Sequence, residues 1–233
     1  MHESGAPVYK RLLKWAACCS ISVLPVLAYA TEDDPWIGYN RVMFDINDTL
    51  DAYTLKPIAK GYKAVTPSFI RTGVHNFFNN VSDTRNFLNN VLQGKVRDAG
   101  VDTTRFILNT TLGVVGVFDV ATAMGLQAND EDFGQTLGVW GVPNGPYVVL
   151  PLLGPSTVRD SVGKLPDGLL ATGLFIDHVP TRNVTYAVNL VDVRAELLSA
   201  ERLISGDRYT FVRNAYLQTR EFKMKDGDVE DDF

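Results

Sequence analysis

Asp45, Asp48 and Asp51 recur at three-residue spacing beside Phe44, Ile46 and Leu50, which places three carboxylates near one face of a helix. Such a set could hold a hard cation, but a calcium loop alternates its ligands more closely and turns on a glycine, and both features are missing here. A solvated helix face, its charge favourable near a helix N-terminus, is the simpler expectation. His75 and His178 are the histidines beyond the first thirty residues, and neither has a neighbour at metal-ligand spacing. The sequence has no G-x-S-x-G elbow, Walker loop or dinucleotide fingerprint. No convergent set of reactive groups emerges, so neither catalysis nor a metal or other cofactor is expected. Asn76, Asn79, Asn80, Asn86, Asn89 and Asn90 form an unusually dense amide cluster. Amides can satisfy polar groups beside an aqueous passage, yet helix caps and helix-to-helix contacts are the commoner use and are expected here.

A second concentration of signal runs from Glu131 to Asp160. Gly134, Gly138, Gly141, Pro143, Gly145, Pro146, Pro151, Gly154 and Pro155 punctuate it, and between them stand Phe133, Leu137, Val139, Trp140, Tyr147, Val148, Val149, Leu150, Leu152 and Leu153. Glycine permits unusual backbone angles and proline removes a donor, so the segment reads as a rigid, non-helical wall. Its apolar side must face a protein core or lipid.

Lys10, Arg11 and Lys14 precede an apolar run from Trp15 to Leu27 that ends at Ala28-Tyr29-Ala30, the pattern of a secretory signal cleaved after Ala30. Cys18 and Cys19 are the two cysteines of the chain, and both lie inside this signal, so disulfide and thiolate chemistry are excluded from the mature protein. Trp15-Ala16-Ala17-Cys18 superficially imitates a lipobox, but most of the apolar run lies after Cys18, where a lipoprotein carries a polar tether. Attachment to a membrane must then come from the folded protein. The net charge of -5 has the wrong sign for nucleic-acid binding.

Helical periodicity dominates from Asp34 to Val120. Ile70, Val74, Phe77, Phe78 and Val81 follow Pro67 on one face; Thr84, Phe87, Leu88, Val91 and Leu92 form a second run stopped by Gly94; Ala99, Thr103, Phe106, Ile107 and Thr110 form a third. The short run from Leu112 to Phe118 has no polar side and is expected to be buried. Asp160 to Gly173 is expected to be loosely helical. Thr181 should cap a helix bearing Tyr186, Leu190, Val193, Leu197 and Ala200, and a last helix from Asp207 carries Phe211, Val212, Ala215, Tyr216 and Thr219 together. Residues 31–222 make one helical domain, and the acidic stretch 223–233 is expected to be disordered.

In order along the chain, Asp34-Pro35, Asn40-Arg41, Phe44, Asn47, Leu50-Asp51, Pro57, Asn76-Phe77, Leu92-Gln93-Gly94, Arg105-Phe106 and Asn109-Thr110-Thr111 resemble the motifs of the MlaA/VacJ family, as does the Gly/Pro segment. The resemblance spans roughly residues 33–222 and implies an all-α, ring-like arrangement of amphipathic helices lying in the inner leaflet of the outer membrane, facing the periplasm. It also implies removal of mislocalised phospholipid from the outer leaflet through an amphipathic channel. A trimeric outer-membrane porin and a periplasmic lipid-carrier protein are the implied partners. On this reading Phe44 and Asn47 flank the channel, Gly138, Gly141 and Gly145 set the backbone of its wall, and Phe133, Trp140, Tyr147, Leu150 and Leu152 line it. Pro143 stands where the family commonly has glycine, which stiffens the loop and argues against gating by flexible glycines. Two other classes remain open: a soluble periplasmic scaffold or lipid-binding module without a channel, and an envelope phospholipase using His75 or His178.

Overall fold

A computed structural model describes residues 34–170 and 176–227. The expected signal therefore lies outside the described residues. Nine α-helices, a short 3-10 helix (Glu201–Leu203) and one hairpin make up the described fold: α1 (Ile37–Tyr53), α2 (Leu55–Val65), α3 (Ser68–Gln93), α4 (Val96–Thr111), α5 (Val120–Ala123), α6 (Phe133–Val139), β1 (Tyr147–Leu150), β2 (Gly154–Thr157), α7 (Val158–Gly168), α8 (Val179–Ala200) and α9 (Arg208–Met224). The runs on either side of Val81 are one helix, α3, which ends at Gly94 in the left-handed conformation.

The packing closes on itself. α1 packs on α2, α2 on α8, α8 on α3, α3 on α6, α6 on α7, α7 on the hairpin, and β1 returns to α1. This cycle is the ring, with α4 folded back along α3 and α9 laid against α6 and β2.

The seam between α3 and α4 is polar. α3 buries Asn80, Asp83, Asn86, Asn89 and Asn90, and α4 turns Asp102, Arg105 and Asn109 towards them. Asn90 donates to Asp102 at 2.8 Å, Asn80 to Thr110 at 3.0 Å, Asn86 to the Asn129 carbonyl at 2.6 Å, and Asn89 accepts from Thr136 at 2.8 Å. The asparagine cluster thus makes helix-to-helix and helix-to-loop contacts, and none of its members caps a helix. Arg105, only 1% exposed, lies 3.5 Å from Asp83 and donates to Asp119 and to the Leu126 carbonyl.

Apolar side chains go the other way. The buried apolar residues are few: Ala59, Ala99, Ala121, Tyr147, Val149, Ala195 and Tyr209. Ile70, Val91, Val96 and Ile107 on α3 and α4, and Val184, Tyr186 and Leu190 on α8, are exposed. The run from Leu112 to Phe118 is likewise neither buried nor a regular helix. Val114 and Val115 stand at φ 54° and 58°, a strained setting for β-branched residues, and Leu112, Val114, Val115 and Phe118 are each at least 60% exposed. Gly113 cannot be spared in this turn, because a Cβ there would meet the Phe118 carbonyl at 2.1 Å.

Other expectations are corrected too. The Gly/Pro segment begins with a helix, α6, because Asp132 accepts from Gln135 N–H as its N-cap. It continues as a hairpin, with Tyr147 paired to Thr157 and Leu150 to Gly154. His178, not Thr181, caps α8. α9 runs through Met224, and Lys223 pairs with Asp130 and Asp226 with Lys95, so ordered structure extends past 222; residues 228–233 lie outside the described residues. Asp48 and Asp51 sit in the second half of α1 and pair with Arg208 and Arg194, so they do not form a solvated, N-terminal charge.

Two outcomes follow. Protein washed free of membrane should need detergent to stay monodisperse in size-exclusion chromatography, and a clean monomer in plain buffer would contradict the exposed apolar helices. Burial pushes the Asp83 carboxyl up to about 7, against the pull of Arg105. A raised carboxyl favours the fold most below its unfolded pKa, and that contribution is lost as pH climbs through about 7. Asp83→Asn should therefore raise the midpoint at pH 8 by about 2–4 °C, the effect of roughly 1 kcal/mol in a domain of this size, and much less at pH 4.

Candidate functional site

α1, the hairpin, α8 and α9 border an open cavity of about 510 Å³. One side is apolar, built from Phe44, Val149, Pro155, Leu197, Phe211, Val212 and Ala215. These come together because the apolar face of α9 turns inwards. The other side is ionic and brings in Asp48, Asp51, Arg194, Glu201 and Arg208.

The ionic side is one connected network. Arg194 binds Asp51 through two hydrogen bonds of 2.7 Å and reaches Glu201 at 3.3 Å. Arg208 lies 2.9 Å from Glu201 and 3.0 Å from Asp48, and Lys56 donates to Glu201 at 2.8 Å. Burial alone would raise the Glu201 carboxyl, but hydrogen bonds from Lys56 and Arg194 outweigh it and hold the group down at about 2. Glu201 is thus ionised throughout the neutral range and ties α2, α8 and α9 together.

The hairpin is fastened to α1 by two asparagines one face apart. Asn40, fully buried, donates to the Tyr147 carbonyl at 3.1 Å and accepts from Val149 N–H at 2.9 Å. Asn47 donates to the Leu150 carbonyl at 2.9 Å and accepts from Leu152 N–H at 2.8 Å. An amide matches a strand edge in this way because it offers one donor and one acceptor. Leu152 is held at φ 63°. From the other side Arg220 pairs with both Asp132 and Asp160, while Tyr216 donates to Asp160 at 2.7 Å, locking α9 to α6 and α7.

Of the residues expected at the site, Phe44 and Asn47 line the cavity. Phe44 meets the Tyr209 ring edge-on at 5.7 Å. Tyr147 lies in the adjoining core, where burial pushes its hydroxyl up to about 12, and Leu150 ends β1 beside Asn47. Leu152 is exposed at the hairpin turn. Phe133 and Trp140 pack edge-on at 5.9 Å on α6, and the Trp140 indole donates to the Leu92 carbonyl, outside the cavity lining. Gly138 lies in α6, where a Cβ would approach the tips of the flexible Met224 and Arg159 side chains to 2.5 and 2.6 Å. Gly141 and Gly145 take positive φ in the loop before β1. Arg194, Glu201 and Arg208 were not foreseen. The spacing of Asp48 and Asp51 was the available signal, and it gave no indication of the partners.

His75 meets the buried Asp192 at 3.2 Å, and Tyr62 donates to the same carboxylate at 3.1 Å. Among the described residues no hydroxyl hydrogen-bonds to His75, and no group of acidic, histidine or cysteine residues is arranged to hold a metal. His178 is engaged with Thr181 at the start of α8.

Asn47→Ala should loosen the hairpin turn. Loss of the two bonds is expected to cost about 1–2 kcal/mol and to speed exchange of the Leu152 amide while leaving amides in α3 and α4 protected. Hydrogen exchange read residue by residue tests this, and unchanged exchange at Leu152 would remove Asn47 as the fastening.

Residues 32–223 match the family model described as MlaA lipoprotein. The chain is 36% identical over 203 residues to the intermembrane phospholipid transport system lipoprotein MlaA of Escherichia coli K12, covering 84% of this chain and 80% of that protein. It is 35% identical to the protein of the same name from Haemophilus influenzae over 84% of this chain and 80% of the relative. A solved structure described as the structural basis for maintenance of bacterial outer membrane lipid asymmetry superposes with a TM-score of 0.70 at 36% identity, over 82% of this chain and 98% of that one. With the ring, the hairpin and the ordered motifs all in place, the chain belongs to the MlaA family.

Proposed function

We propose that this protein removes phospholipid from the outer leaflet of the outer membrane, passing it through the ring's cavity towards the periplasm, and that it does so without catalysing a reaction. The observation that carries the reading is the cavity's division into an apolar wall and an ionic wall within a ring whose outer surface is apolar. A phospholipid has the matching division. Moving its charged headgroup through hydrocarbon is costly, whereas a polar-lined path accepts the headgroup while the acyl chains stay against Phe44, Val149, Leu197 and Phe211.

No helix among the described residues is long and apolar enough to cross a membrane. A ring with an apolar rim fits in the plane of one leaflet, where exposed Val96, Ile107, Leu112, Phe118, Val184 and Leu190 meet acyl chains. Lipid of the surrounding leaflet meets that rim and is kept out, while lipid above the ring can descend into the cavity. The relatives' names, which speak of intermembrane phospholipid transport, support this direction of reasoning. A trimeric porin that steadies the ring and a periplasmic carrier that accepts the lipid are the partners the reading requires.

Cells lacking the gene should accumulate phospholipid in the outer leaflet and lose it again on complementation. Ala215→Trp, which projects an indole into the cavity from α9, should fail to complement although it reaches the membrane at normal abundance. Full complementation by this variant would take the path elsewhere, and an unchanged surface on deletion would leave a scaffold as the better reading.

A further inference from the structure

At the end of α8 a second cavity, of about 980 Å³, shares Glu201, Ile204 and Arg208 with the one that α1, the hairpin, α8 and α9 border. Its wall is strongly basic. Lys56, Lys60 and Lys63 fall at i, i+4 and i+7 on α2 and so share a face, and Arg202 and Arg208 meet them from the other side. Glu201 is the carboxylate in that lining, and Lys56, Arg194 and Arg208 already surround it. Among the described residues, Lys60, Lys63 and Arg202 have no carboxylate within ion-pair distance, and the buried Nε of Arg208 has no hydrogen-bond acceptor. A chain of net charge -5 thus gathers uncompensated cations at one opening.

Resting on the transport reading above, we propose that this basic vestibule seats the phosphodiester of a phospholipid headgroup, and that it favours headgroups with no ammonium of their own. The two cavities join head to tail. A phosphate beside Lys60, Lys63 and Arg202 leaves the glycerol backbone at Ile204 and Arg208 and the acyl chains in the apolar half of the ring. An ethanolamine ammonium placed in the same vestibule meets further cations, while the nearby anion, Glu201, is taken up by its three partners. A glycerol headgroup brings the phosphate charge without that penalty. Arginine adds a planar pair of donors suited to phosphate oxygens, and the lysines add point charges.

Full-length protein extracted in detergent is titrated with fluorescent phosphatidylglycerol, with fluorescent phosphatidylethanolamine, and with inorganic phosphate as competitor. The native protein should bind phosphatidylglycerol more tightly, with an affinity that falls as salt rises. The triple variant Lys60→Gln, Lys63→Gln, Arg202→Gln should lose roughly tenfold in phosphatidylglycerol affinity and leave phosphatidylethanolamine nearly unchanged. Those positions are exposed, so the fold should survive, and unaltered circular dichroism and melting check it. Equal binding of both lipids by the native protein, or an unaltered triple variant, overturns the proposal. Displacement of the lipid by inorganic phosphate at the lipid's own affinity would also overturn it, making the vestibule a free-phosphate site. So would a triple variant that binds lipid normally yet fails to clear surface phospholipid in cells, since the basic face would then serve a protein partner. Ala215→Trp separates this result from the transport reading: if it abolishes binding of both lipids while the triple variant changes nothing, the ring cavity stands and the vestibule falls.

Discussion

The buried seam between α3 and α4 is the constraint on which the rest of the molecule depends. Asp83, Asp102, Arg105 and a row of asparagines occupy positions that a water-soluble helical pair fills with leucine and valine. Each buried polar group costs free energy unless it finds a partner, so the seam specifies its register residue by residue. Arg105 illustrates the demand, with Asp83, Asp119, Thr122 and the Leu126 carbonyl all converging on one guanidinium. Because the seam uses the polar side of both helices, their apolar sides are left facing outwards. The exposed apolar faces of α3 and α4 are the direct consequence of the polar seam between them.

The same arrangement recurs wherever the ring closes. Asp192 on α8 is buried and receives Tyr62 from α2 and His75 from α3, so one carboxylate joins three helices. Arg220 on α9 holds Asp132 and Asp160, and Asn40 and Asn47 clasp the hairpin to α1. Directional bonds close the ring at these corners, and hydrophobic burial contributes through a small core cluster of Tyr147, Val149 and Tyr209. That economy suits a protein whose exterior is apolar, since lipid competes with apolar packing but not with buried ion pairs.

Sequence periodicity located the helices well and their orientation poorly. Gly94 as the stop of α3, Asp207 as the start of α9 and the shared face of Phe211, Val212, Ala215, Tyr216 and Thr219 were all legible, since caps and spacing are local properties. Which face turns inwards is not local. Tyr186, Leu190 and Val193 would turn inwards if water lay outside, yet they are exposed, while Asp192 and Ala195 are buried and Leu197 borders the cavity. The run from Leu112 to Phe118 failed for the same reason and one more: Gly113 and Gly116 bend it into a strained turn that periodicity does not describe. Phe44 and Asn47, singled out through their motif, border the cavity, while Glu201 left no signal, because its three cationic partners come from α2, α8 and α9.

The loop before the hairpin raises the question of what can move. Pro143 lies between Gly141 and Gly145, both at positive φ, so the backbone freedom of the glycines is already committed to one path, and proline fixes φ between them. Arg159 N–H bonds the Asn144 carbonyl and Val158 N–H the Pro146 carbonyl, tying the loop to the start of α7. With the strands anchored by Asn40 and the turn by Asn47, rotation of the hairpin as a rigid body would break hydrogen bonds on both sides at once. On the transport reading proposed above, motion that admits a lipid is cheaper at the opposite wall, which side-chain ion pairs around Glu201 bound and no backbone ladder holds. Among the described residues, Lys60, Lys63 and Arg202 line that end without an ion pair of their own, so an entering phosphate can be met there while Glu201 keeps Lys56, Arg194 and Arg208.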